Sequence, residues 1–253
     1  MRLDIQKANM WKRISAALFD VIILSVVVAL LAMILSGVLG FDRYNNAMDD
    51  CYSKYEAMYG ISFDITLDDY NAMTQEEIAL YEEAYEAFSV DPDAIYNFNM
   101  IVRLTLTIAS ISILLGYLIM EFAIPLFLGN GRTLGKRIFG IGVMRAHSVR
   151  ITPVALFIRT VLGKFAIETM VSVLIILMIF WGTIGIVGPL VILGILILQV
   201  LLLATSPTRS VIHDRLSDTV VVDMESQQIF ENEDELIEYT KRLHAEKASK
   251  QVY

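Results

Sequence analysis

Asp20 and Glu121 stand inside two apolar stretches of this 253-residue chain, where an ionised carboxylate costs several kcal/mol unless it is paired or hydrated. Side chains of this kind face a bundle interior or a water-filled space and mark ion paths, proton relays or ligand sites. Arg13 precedes Asp20 by seven residues, about 10 Å along a helix and on the same face. Glu121 lies seven residues before the end of its own stretch at Leu128, which gives the two carboxylates a similar depth. Glu168 opens a third apolar region, while Arg159, Lys164 and the group His213-Asp214-Arg215 fall near the ends of such stretches. The candidate polar site is therefore Arg13, Asp20, Glu121, Arg159, Glu168 and Asp214. Two readings stay open. Asp20 and Glu121 form a proton- or cation-exchange site open to the cytoplasm, or an arginine holds Asp20 as structural glue while Glu121 lies near the interface.

The elements that must position these groups follow from hydrophobic runs. At 56% hydrophobic and 19% charged residues, the chain is neither disordered nor an ordinary soluble domain. The run from Ile14 to Gly40 has Asp20 as its single charge and is long enough for a hydrocarbon core of roughly 30 Å. Basic residues Arg2, Lys7, Lys12 and Arg13 precede it, but the run exceeds a signal-peptide core of about 7–15 residues and ends without a small-x-small cleavage site. It is expected to be an uncleaved span. A second run, Leu104 to Leu128, contains Pro125, which frees the Glu121 carbonyl four residues upstream and predicts a kink. Phe165 to Thr205 is 41 residues, roughly 60 Å as a helix, or about two hydrocarbon thicknesses. The Gly- and Pro-containing segment Trp181 to Pro189 offers a turn near its middle, with Trp181 suited to an interface. The expected fold is an all-α membrane protein, a four-transmembrane-helix bundle with an extracytoplasmic helical hairpin and a small cytoplasmic β element.

Charge is segregated along the chain. Residues 41–98 hold 14 of the 28 acidic residues and only Arg43 and Lys54 as bases, whereas residues 128–164 hold seven Lys/Arg and no acid. Basic residues near span ends resist translocation, so the N-terminus, the 129–164 loop and the C-terminus are expected in the cytoplasm and residues 41–98 outside. The outer segment carries eight of the 11 tyrosines, and Thr74-Gln75-Glu76-Glu77 has capping-box spacing ahead of a helical apolar pattern. It is expected to be an acidic helical hairpin. Cys51, the only cysteine, has no intrachain partner; a passive small residue is the reading preferred over an intermolecular disulfide. On the other side, Arg137 to Met144 and Thr219 to Val222 are β-rich and could pair. Pro153 to Lys164 reads as an amphipathic helix along the interface, and the tail from Ile229 as an exposed helix with Glu238/Arg242 and Glu246/Lys250 at i,i+4 spacing. The expected division is a membrane domain over 8–223, interrupted by the 41–98 insertion, and a charged tail over 224–253.

Three segments together resemble the RDD family of bacterial membrane proteins. Lys12-Arg13-Ile14-Ser15-Ala16-Ala17-Leu18-Phe19-Asp20 is similar to the family's arginine and aspartate in the first helix. Thr133-Leu134-Gly135-Lys136-Arg137 resembles its TLGKR-type motif, which singles out Gly135, Lys136 and Arg137. His213-Asp214-Arg215 followed by Thr219-Val220-Val221-Val222 resembles its HDR…TVVV ending, which singles out His213, Asp214 and Arg215. Asp218 stands where a small, glycine-like residue is expected. The resemblance implies a membrane fold and, more loosely, movement of ions or small ligands.

Other chemistries lack their signatures. Gly131 to Arg137 looks like a phosphate loop, but Asn130 stands where its first glycine belongs and Arg137 where Ser or Thr belongs. The Asp91–Asp93 region lacks the glycine of a calcium loop, and no zinc, dinucleotide or nucleophile-elbow motif occurs. No enzyme, cofactor or metal site is expected, and no nucleic-acid partner. The expected partners are the lipid bilayer, with anionic head groups at the basic loop, and further copies of the chain, because four spans enclose little volume. Two functions compete. One is a transporter-like role for an ion or small ligand through the inner-leaflet carboxylate/arginine site. The other is a non-transporting regulatory role, in which the acidic hairpin or the tail binds an envelope protein.

Overall fold

The computed structural model describes residues 5–180, 182–206 and 208–250, the Lys250 side chain excepted. The expectations for Arg2, Trp181 and the Glu246/Lys250 pair lie outside these residues. The protein is an all-α membrane fold with a small sheet. Four helices are long and apolar enough to cross a bilayer: α1 (Met10–Leu39), α5 (Pro92–Leu128), α7 (Pro153–Phe180) and α8 (Val187–Thr205). Between α1 and α5 lie α2 (Phe41–Tyr59), α3 (Leu67–Ala72) and α4 (Gln75–Ser89). The chain divides into two compact units, one of residues 29–112 and one of the residues before and after that stretch.

In the first of these units α2 and α4 form the expected hairpin and bury an aromatic core. Tyr52 stacks on Phe88 at 4.7 Å, and Phe63 lies 5.5 Å from Phe88 and 5.8 Å from Tyr81. Each such pair is worth about 0.5–1.5 kcal/mol beyond its buried area. The Thr74 capping box forms: the Thr74 hydroxyl accepts from the Glu77 amide at 3.3 Å and Glu77 accepts from the Thr74 amide at 2.7 Å. Cys51 is buried in this core, with burial pushing its thiol pKa up, which fits the passive reading. Asp91 caps α5. Its Oδ1 accepts from the Asp93 and Ala94 amides, and its Oδ2 from Lys54 Nζ at 2.9 Å and the Tyr55 hydroxyl at 2.8 Å.

The second unit carries the polar layer. α6 (Leu134–Ile138) leads into β1 (Ile141–Arg145), and α9 (Ile212–Leu216) into β2 (Thr219–Asp223). The strands pair antiparallel with Val143 opposite Val221, so the expected pairing forms. It begins later than expected, because Thr133 caps Leu134 onward into a helical turn, its hydroxyl accepting from the Lys136 amide. Pro153 to Lys164 is not a separate interfacial helix. Thr152 caps it, Pro153 fits its first turn, and it runs unbroken to Phe180 as the third long helix. Asp218 takes φ +50°, the left-handed conformation that a glycine-like residue would adopt without strain.

The tail is not wholly free. Phe230 is buried; its amide donates to Ser148 O and its carbonyl accepts from the Arg150 amide. This pins the start of α10 (Glu233–Lys250) to the β1 side of the layer. Glu238 and Arg242 pair along that helix as their spacing predicts.

Candidate functional site

Proline dictates the first feature. Pro125 cannot donate to the Glu121 carbonyl, and α5 widens over Leu118–Ala123 into i→i+5 bonding. The freed carbonyl is taken by the Thr160 hydroxyl at 3.0 Å. Thr160 lies on a second widened stretch, Ile158–Met170 of α7. Such stretches are rare and re-aim side chains. Here they carry Glu121 on one helix and Arg159, Lys164 and Glu168 on the other.

These acids and bases are paired. Lys164 Nζ lies 2.6 Å from Glu121 Oε2, and Lys136 Nζ lies 3.9 Å from Glu121 and 4.0 Å from Asp20. Asp20 accepts from the Thr133 hydroxyl and, at 2.8 Å, from the Gly135 amide. A side chain at 135 would run into the Ala16 carbonyl and the Asp20 carboxylate, so glycine is required there for this close approach. Asp214 is fully buried between Arg159 and Arg13, the latter at 3.3 Å. Arg159 also donates to the Thr219 hydroxyl at 2.8 Å, and Arg13 to the Arg209 carbonyl at 2.7 Å. His213 Nδ1 lies 2.9 Å from both Glu168 oxygens, and the His213 amide donates to the same carboxylate. Gly163 lets α9 sit this close, since a Cβ there would strike His213.

The sequence-derived site residues are thereby resolved into two networks. Arg13 does not hold Asp20, because two helical turns separate them and Asp214 is nearer; the threonine and the glycine amide of the TLGKR segment hold Asp20 instead. Of the motif residues, Gly135, Lys136, His213 and Asp214 join the networks, whereas Arg137 and Arg215 are exposed and do not. Thr133, Thr160 and Thr219 were not foreseen. Their only signal was position, at the head of TLGKR, beside Arg159 and at the head of TVVV.

Burial draws Lys136 down to about 8, against the Glu121 carboxylate, which favours the proton, and with Lys164 and Arg159 opposing it. Burial also lowers His213 well below its usual value, with Arg159 and Lys164 adding to the effect. This favours a neutral imidazole, and the tautomer with its Nδ1 proton directed at Glu168 satisfies both groups. Within this unit the networks line a cavity of about 340 Å³, a volume at the lower end of ordinary ligand sites. Arg13, Lys136, Arg159 and Lys164 face it, with Asp20, Glu121 and Glu168.

Four apolar helices over a small polar layer, with a charge-lined cavity at their junction, define a polytopic membrane protein. The RDD family model matches residues 7–218, and the chain belongs to that family. Neither a curated protein nor a solved structure matches it.

Proposed function

We propose that this RDD-family protein is a transporter-like protein of the bacterial cell membrane that takes an ion or small ligand into the charge-lined cavity from the cytoplasmic side. The observation that carries this reading is the cavity itself, in which three carboxylates and four basic groups, paired as they are, adjoin open space. The basic termini of the spans favour the orientation proposed, with both chain ends and the sheet in the cytoplasm and the acidic hairpin outside. Because each of the carboxylates has a partner, a lysine or hydroxyl for Asp20 and Glu121 and the His213 imidazole and amide for Glu168, a ligand exchanges with these partners instead of meeting a bare charge. The basic loop faces anionic head groups.

The test reconstitutes the purified chain in sealed vesicles and measures proton movement driven by alkali-cation gradients. The parent moves protons and Glu121→Gln and Asp20→Asn do not, both variants eluting as folded species. Absence of movement in the parent, or unchanged movement in both folded variants, overturns the exchange form of the reading. The regulatory alternative draws on the exposed rings of Tyr85, Tyr96 and Phe98 in the hairpin unit. Deleting residues 42–98 decides between them: transport that survives favours the first reading, and loss of a co-purifying envelope protein without a flux defect favours the second.

A further inference from the structure

The cavity lining combines charged and apolar side chains. Along α1 its wall runs from Arg13 through Asp20 to Val21 and Leu24, the last about 16 Å from Arg13 along the axis. Gln199 and Leu203 of α8 form part of the opposite wall. The cavity-lining residues Ile14, Ala17 and Val21 are exposed, Val21 by 57%, so the wall on this side is open where α1 is apolar. A ligand that is charged at one end and apolar at the other can enter here sideways, without its apolar part meeting water.

The charges set the sign of the polar end. Arg13, Lys136, Arg159 and Lys164 are balanced by Asp20, Glu121 and Glu168 on the wall and Asp214 behind the two arginines. An anionic head group would meet Asp20 and Glu121 unfavourably, and a cationic one would meet the arginines. A head group holding both signs complements both networks, its phosphate toward Arg13 and Lys164 and its ammonium toward the carboxylates.

We propose that the cavity binds the zwitterionic head group of a membrane phospholipid, admitted from the bilayer past the exposed apolar side of α1 at Ile14, Ala17 and Val21. This rests on the reading of the cavity as the protein's ligand site and names the ligand's class. The head group occupies the charged floor and the upper acyl carbons lie against Val21 and Leu24.

The experiment reconstitutes the full chain in vesicles of equal phosphatidylethanolamine and phosphatidylglycerol, extracts it in mild detergent, and counts retained phospholipid by native mass spectrometry. The expected result is one phosphatidylethanolamine per chain, enriched about tenfold over the vesicle ratio, which corresponds to about 1.4 kcal/mol of preference. Ala17→Phe, which adds a ring to the exposed side of the cavity wall without removing a charge, loses the enrichment. Leu18→Phe, exposed but off the cavity, keeps it. Retention of phosphatidylglycerol instead, equal retention by the two variants, or a lipid-free dimer overturns the proposal. If no lipid is retained while the same vesicles show cation-driven proton movement, the inference fails and the transport reading stands; if both are absent, both fail.

Discussion

The hairpin unit and the cavity unit each bury carboxylates, and they do so to different ends. Asp91 is saturated by two backbone amides, a lysine and a tyrosine, all within its own unit, and its role is complete once α5 is capped. Asp20, Glu121 and Glu168 are also paired, but they line open space and come from elements far apart in sequence. A buried acid whose acceptors are filled from its own unit is architecture. The same acid beside a cavity can exchange partners, because a displaced lysine or arginine has room to move.

Removing a charge should cost most where two cations depend on one acid. Asp214→Asn leaves Arg13 and Arg159 without their counter-charge, and a loss of about 3–5 kcal/mol is expected from thermal unfolding in detergent. A near-neutral result would mean that the arginines find water through the cavity. Gly135→Ala comes next: its methyl group meets a backbone carbonyl that cannot swing away, for an expected cost of about 1–3 kcal/mol, together with a weakened amide bond to Asp20.

Proton linkage separates the two units more sharply. Lys54 and Tyr55 hold the Asp91 carboxyl well below the usual carboxylate range. A depressed acid stabilises the fold above its unfolded pKa and loses that contribution as pH falls toward the folded value. The difference between the parent and Asp91→Asn should therefore be flat from pH 5 to 8 and shrink below about pH 4. Lys136 is also depressed, but there the charged form is the disfavoured one. Its folded pKa of about 8 lies below the ordinary lysine value, so the unfolded chain binds more protons above pH 8, and stability should rise with pH from there toward about 10.4. Lys136→Met should abolish that rise. Equal pH dependence in the parent and in Lys136→Met would place the lysine in water and undo the contrast. The smallest effect is at Asp218, where glycine relieves a left-handed backbone at the loss of a weak exposed contact with Arg145; a gain below about 1 kcal/mol is expected on unfolding.

Much of this was legible because hydrophobic runs, capping spacing and proline rules are local. The four long helices, the Thr74 capping box, the pairing of β1 with β2 and the freed carbonyl at Glu121 each follow from a few neighbouring residues. Partner choice was not local. The i,i+7 relation put Arg13 and Asp20 on one face and both do line the cavity, but a shared face two turns apart is not contact. What decides contact is the fold's placement of Thr133, Gly135 and Lys136 beside Asp20, and that depends on α6 turning before β1. The widened stretch of α7 had no sequence signal either. A continuous helix through Lys164 was hidden by its own charges, which read as an interfacial segment until their carboxylate partners were in place.

The most direct measurement concerns water. With Cys51 replaced by alanine, Gln199→Cys and Val200→Cys place a thiol respectively on the cavity wall and on the neighbouring exposed face of α8. A water-soluble, membrane-impermeant maleimide added from the cytoplasmic side should modify the cysteine at 199 and spare the one at 200. Equal labelling of the two, or labelling at 199 only from the opposite side, would contradict a cytoplasm-facing cavity and reduce the paired charges to structural glue.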